Sequence, residues 1–411
     1  MPPEATTADL GTAARASLPG AAVLTLAFCF TASLCEGYDV QAAGIAAGGI
    51  SAAFHPGPGP LGGFFSAGSF GLMLGAILGG WLSDRIGRRR VLIASITAFG
   101  LFSLATSQAW DMGSLTALRF LTGLGLGGAM PNLIGLAADA GGDRPHSGHI
   151  ALSYIGMPVG GAIASLAALV LPQDHWRQLF LIGGAAPLVI AAAMAAALPR
   201  ATRQTAAREA AAPLRELFGG TRALRTLMLW LGFFLLVLTL HLLLNWLPLL
   251  LRSRGLSKDG AALAQIGFNL GGGLGALAIG QLLDGRWRRP AVVLVAVALP
   301  VLLVLLAGVG GSAMIPVALG VGIAVLGGQV ILFAVAGGLY PQAVRGAGLG
   351  AAVGVGRLGS IAGPAFAAAL LAAGRSAAQV LTALLPMAMA FALCMLFLAW
   401  RAANTASATQ N

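Results

Sequence analysis

About twelve apolar runs, each long enough to cross a hydrocarbon core about 30 Å thick as a helix, follow one another along this chain of 411 residues. They lie at 21–46, 61–83, 91–108, 112–138, 148–171, 178–198, 226–250, 261–283, 291–309, 314–337, 347–372 and 379–400, with short polar or Gly/Pro-marked joints between them. A backbone inside lipid must satisfy its own N–H and C=O groups, which leaves helices or a closed barrel. A barrel would alternate polar and apolar residues over segments of roughly ten. The unbroken runs therefore predict an all-α integral membrane protein. Composition agrees: 58% of the residues are hydrophobic, 9% are charged and mean hydropathy is +0.87, which would not keep a soluble fold of this length dissolved.

The runs divide into two sets of six. Gly80-Trp81-Leu82-Ser83-Asp84-Arg85-Ile86-Gly87-Arg88-Arg89-Arg90-Val91-Leu92 closes the second run, and Gly280-Gln281-Leu282-Leu283-Asp284-Gly285-Arg286 closes the eighth. The recurrence of Gly-x-Leu-x-Asp at matching places predicts a divergent repeat and hence two pseudo-symmetric six-helix bundles. The expected organisation is a tail at 1–18, one bundle at 19–199, an Arg- and Ala-rich linker at 200–225, a second bundle at 226–401 and a tail at 402–411. Their pseudo-twofold axis would follow the membrane normal, with a central cavity exposed to either side by rocking.

Net charge is +11, but the basic residues sit in loops without aromatic interleaving, so nucleic acid is not an expected partner. Membrane topology accounts for them. With Met1 in the cytoplasm, about 17 Arg fall on that side, about five Lys/Arg on the other and two inside runs, so both termini are expected to be cytoplasmic. The first apolar run outlasts a cleavable signal core and reads as a retained helix. Cys29, Cys35 and Cys394 lie far apart inside apolar runs, so neither disulfide, metal site nor cofactor is expected. No HExxH motif or Ser/His/Asp set points to an enzyme. Abundant Arg and Ala beside a single lysine, Lys258, fit a GC-rich bacterial genome, which makes the inner membrane the expected location. The expected working unit is a monomer.

Gly123 and Gly127, Gly267, Gly271 and Gly275, and Gly346, Gly350 and Gly354 recur one turn apart and predict close helix packing. The stretch at 123–128 has no preceding strand and is not a nucleotide loop.

Ionisable residues inside a bilayer are costly, and five remain in the runs: Glu36, Asp39, Arg119, His241 and Arg357. Glu36 and Asp39, three apart, share one helix face beside Ala32 and Ala43. A rise of about 1.5 Å per residue puts Glu36 about 23 Å and Arg119 about 20 Å from the cytoplasmic edge, so an acid of the first run can pair with Arg119. Proton coupling is the expected role of Asp39, Glu36 and Arg119, against the alternative of a static salt bridge. Arg357, close to the midplane with no acid of its own half at that depth, suits a carboxylate ligand through bidentate hydrogen bonds. Tyr38, Tyr154, Asn245, Trp246, Asn269 and Gln329 are further candidates for the binding site, with Phe268 and Phe333 as walls. His241 reads as a structural donor outside that site. Gly80, Asp84, Arg85, Gly87, Arg88 and Asp284 are expected to form a cytoplasmic gate, its carboxylates binding an arginine or a helix N-terminus across the halves.

Residues 80–92 resemble motif A of the major facilitator superfamily. Glu36-Gly37-Tyr38-Asp39-Val40-Gln41-Ala42-Ala43-Gly44-Ile45, Arg119 to Asn132, Asn245-Trp246-Leu247-Pro248 and Gly356 to Pro364 resemble segments of its aromatic acid:proton symporters, the first being similar to the form found in 3-(3-hydroxyphenyl)propionate transporters. The resemblance covers essentially the whole chain. It implies a twelve-helix fold and proton-coupled import of an aromatic monocarboxylate of the (hydroxyphenyl)propionate type, with Asp39 and Glu36, Arg119 and Arg357 at the family's acidic and arginine positions. Leu198-Pro199-Arg200-Ala201 departs from the family's Leu-Pro-Glu-Ser, Asp139 replaces a glutamate, and the second motif degrades after Asp284. An exporter of lipophilic drug-like compounds and a membrane sensor are the competing readings; Arg357 would repel a cationic cargo.

Overall fold

A computed structural model describes residues 20–139, 147–198, 217–219, 222–283 and 285–408. The first half contains α1 (Gly20–Phe54), α2 (Pro58–Ile86), α3 (Arg88–Thr106), α4 (Met112–Asp139), α5 (Ser147–Val170) and α6 (Trp176–Ala197). The second contains α7 (Arg222–Ser253), α8 (Lys258–Leu283), α9 (Arg288–Gly308), α10 (Met314–Leu339), α11 (Gln342–Ala372), α12 (Ala377–Thr382) and α13 (Leu385–Ala408). Ten helical segments among the described residues are long and apolar enough to cross a membrane. α4 and α5, of 28 and 24 residues, have the length to complete twelve crossings. The all-α membrane fold expected from the sequence is the fold observed.

Several helices outrun their apolar stretches. α1 continues to Phe54 and α7 begins at Arg222, because a helix leaving the hydrocarbon core keeps its own hydrogen bonds. The last crossing is made of two pieces. A capping box starts α12, with Ser376 Oγ accepting from the Gln379 amide at 3.3 Å and Gln379 Oε1 from the Ser376 amide at 2.9 Å, and the chain breaks step before Leu385. Of the linker expected at 200–225, residues 200–216 and 220–221 lie outside the described residues, as do the whole tail expected at 1–18 and residues 409–411; the rest of the tail expected at 402–411 continues α13 as helix to Ala408.

The halves repeat one packing scheme: α1 packs on α5 and α2 on α4, and six helices later α7 packs on α11 and α8 on α10. Glycines set the separation. A methyl group at Gly71 of α2 would come within 2.0 Å of the Phe120 carbonyl oxygen of α4, and one at Gly322 of α10 within 2.0 Å of that of Phe268 on α8. Gly123, Gly127, Gly271 and Gly275 make approaches of the same kind. Gly346, Gly350 and Gly354 do not: beside each there is open space. The packing expected of them is not made here, because all three lie on an exposed face of α11.

The halves join only away from the Arg-rich α2–α3 turn, counting hydrogen bonds between described residues. The Gln41 amide donates to Leu244 O at 3.0 Å, the Ser66 hydroxyl to Ile361 O at 2.9 Å and the Lys258 ammonium to Leu171 O. Phe65 meets Trp246 edge to face with centroids 5.2 Å apart. These contacts seal the end of the molecule away from that turn, and among the described residues no hydrogen bond joins the halves at the Arg-rich end.

Candidate functional site

Asp39 and Arg119 form the inner pair of the first half. Arg119 Nη1 lies 2.6 Å from Asp39 Oδ2, with side chains 7% and 0% exposed. The Ser103 hydroxyl of α3 sits 3.2 Å from Asp39 Oδ1, within reach also of Phe180 O. The start of α4, which carries Arg119, is fixed outside the membrane by Asp111. Its carboxylate accepts the Ser114 amide at 2.7 Å, and that bond holds it below the usual carboxylate range. Gly68 leaves the space the guanidinium fills, and the rings of Phe64 and Phe180 face it at 5.8 and 5.9 Å. Arg119 Nε has no partner among the described residues. The pair balances two charges in a dry environment, where removing either one would strand the other.

A second cluster spans the halves. Glu36 is 2% exposed, and its Oε1 is buried without a hydrogen-bond partner among the described residues. The charge of Arg357 acts on Glu36 and also on His241 of α7. The packing of α11 on α7 explains this proximity. Gly356 lies against Val237 and Phe233, and Gly359 against Phe234 O and Leu238 N, so Arg357 emerges beside the turn that precedes His241. Half-buried Arg357 has neither an ion pair nor a side-chain hydrogen bond among the described residues. Sequence depth alone left this arginine without an acid of its own half; its acidic neighbour comes from the other half.

The remaining candidates separate. The ring of Tyr38 turns into the first half, against Gly183 of α6, with its buried hydroxyl unpartnered among the described residues. Trp246 donates to Pro364 O at 3.1 Å and packs on Phe65, so it belongs to the seal between the halves. Asn245 bonds His241 O at 2.8 Å. Asn269 Nδ2 bonds Gln41 Oε1 at 3.2 Å, and Gln265 Nε2 reaches the same oxygen at 3.0 Å. Gln329 is half-buried on α10, and the side chain of Tyr154 lies outside the described residues. Sequence reasoning passed over Gln41, Gln265 and Ser103. The signal available was polarity at one-turn spacing, Gln265 standing four residues before Asn269.

At the Arg-rich end the expected bond from Asp84 across the halves is not formed among the described residues. Asp84 is exposed, Arg85 stacks on Trp81 at 3.8 Å, and beside Gly80 there is open space. The separation of the halves at this end is the physical reason. Gly87, at φ 92°, makes the turn between α2 and α3 that a side chain would strain, and Arg88 is exposed. Arg89, outside the expected gate set, caps α6 by donating to Ala195 O at 2.7 Å and Leu198 O at 3.0 Å. Asp284 lies outside the described residues.

Two pseudo-symmetric bundles around a charged, half-sealed cavity match a known family model over residues 29–364. The chain belongs to the Major Facilitator Superfamily. Within this superfamily it is 44% identical over 262 residues to the 3-(3-hydroxy-phenyl)propionate transporter of Escherichia coli (strain K12), covering 64% of this chain and 65% of that protein. It is 33% identical over 295 residues to the gallate transporter of Pseudomonas putida, covering 64% and 66%. The chain thus spans under two thirds of the length of these relatives. A solved bacterial homologue of the human lysosomal transporter Spinster, inward-facing and unoccupied, superposes with a TM-score of 0.72 at 16% identity over 94% of this chain and 96% of that one.

Proposed function

We propose that the chain is a proton-coupled symporter that imports an aromatic monocarboxylate of the (hydroxyphenyl)propionate type across a bacterial inner membrane. It works as a monomer with both termini in the cytoplasm. The observation that carries this reading is Arg357: a fixed cation between the halves, with no ion pair or side-chain hydrogen bond among the described residues, suits the bidentate geometry of a carboxylate. The relatives named above carry aromatic acids, which supports the same class of cargo.

The two acids take different parts in the proposed cycle. Asp39 is held by Arg119 and takes part in the cycle through that pair. Glu36, with an unpartnered oxygen and Arg357 as its neighbour across the cavity, is the carboxyl available to carry the proton beside the substrate. Closure of the outer end exposes Glu36 and Arg357 to the cytoplasm together, where lower proton activity favours release. The Arg-rich loop, with Asp84 and Asp284, becomes the gate when the halves close at that end.

Uptake into proteoliposomes under an imposed inward proton gradient tests the reading. Radiolabelled phenylpropionates should accumulate above equilibrium, and a protonophore should collapse the accumulation. Gradient-driven efflux of lipophilic cations, with no movement of aromatic acids, would favour the exporter instead.

A further inference from the structure

The imidazole of His241 is only half accounted for by its helix. Nδ1 lies 3.1 Å from the Val237 carbonyl oxygen, a group that can only accept, so Nδ1 carries the hydrogen. In the neutral ring Nε2 is then an acceptor, and among the described residues it has no hydrogen-bond partner. A structural role satisfied one turn back along α7 explains Nδ1 and leaves Nε2 without a purpose.

The surroundings say what Nε2 faces. His241 is half-buried on α7 one turn before Leu244, where α1 closes on α7 through Gln41 and Gly44. It is also one turn beyond Val237, against which Gly356 of α11 packs. It therefore stands where α1, α7 and α11 converge, within the field of Arg357 yet not bonded to it. A fixed cation and a neutral acceptor thus border one space, and they want different things from a ligand: an anionic group for Arg357 and a hydroxyl hydrogen for Nε2.

We propose that His241 is a specificity-determining residue whose Nε2 accepts a hydrogen bond from a ring hydroxyl of the carboxylate held by Arg357. The inference rests on the aromatic-carboxylate reading above and adds to it the hydroxyl as a recognised group. A site with a waiting acceptor favours an acid bearing a hydroxyl over its parent, because the parent leaves the acceptor unpaired.

The experiment compares 3-(3-hydroxyphenyl)propionate, its 3-methoxy analogue, which cannot donate, and unsubstituted phenylpropionate as competitors for uptake in proteoliposomes. Wild-type protein should prefer the hydroxylated acid over both by about three- to tenfold. His241→Phe should bring the ratio close to one, and His241→Gln, which keeps an acceptor, should restore part of it. Equal affinity of wild type for the hydroxy and methoxy acids, or an unaltered ratio in His241→Phe, overturns the proposal. Failure of the parent reading looks different: none of the three acids would compete or be taken up.

Discussion

The two arginines of the membrane interior live in opposite circumstances. Arg119 is buried inside one half, bonded to Asp39 at 2.6 Å, faced by two phenylalanine rings and given its space by Gly68. Arg357 lies between the halves, half-buried, with Glu36 and His241 near it and no side-chain hydrogen bond among the described residues. One arrangement spends its electrostatics on holding a bundle together; the other keeps them in reserve. A charge that the fold already neutralises has little left for a ligand, whereas an unneutralised one at the meeting of α1, α7 and α11 gains most when a carboxylate arrives.

The comparison breaks most readily in stability measurements. Arg119→Gln should strand the Asp39 carboxylate in a dry site and cost about 3–5 kcal/mol, seen as a large fall in melting temperature of detergent-purified protein. Arg357→Gln should leave the melting temperature nearly unchanged or raise it, since no ion pair or side-chain hydrogen bond among the described residues is lost. Equal falls in the two variants would mean that Arg357 is as fully engaged by protein groups as Arg119.

A smaller effect should come from the outer seal. Gln41 joins α1 to α7 and α8 through Leu244 O, Gln265 and Asn269, three bonds that cross between the halves at the seal. Gln41→Ala removes them at about 0.5–1.5 kcal/mol each, which should shift the population towards the outward-open form. Faster alkylation of a cysteine placed at Ile45, beside the seal, would report the shift; an unchanged rate would show that Phe65 and Trp246 close the outer end unaided.

Much of this architecture was legible in the chain. The apolar runs predicted the crossings, Gly-x-Leu-x-Asp at 80–84 and 280–284 predicted two halves, and helical rise alone put an acid of the first run level with Arg119, where the Asp39 bond is found. Such reasoning works within a bundle, where spacing along a helix translates into depth. It fails between bundles. The proximity of Glu36 to Arg357 depends on how one half sits against the other, as do the open space beside Gly346, Gly350 and Gly354 and the exposure of Asp84. The free nitrogen of His241 was hidden for another reason: its role follows from which ring nitrogen meets Val237 O, and no sequence pattern states a tautomer.

The central claim is that the unpaired guanidinium at Arg357 holds the carboxylate of the cargo, and equilibrium binding to the purified protein tests it most directly. Arg357→Lys keeps the positive charge but loses the planar fork. The dissociation constant for 3-(3-hydroxyphenyl)propionate should therefore rise about tenfold to a hundredfold. Wild-type affinity in the lysine variant would contradict direct contact and, with it, the assignment of this cavity to an aromatic acid.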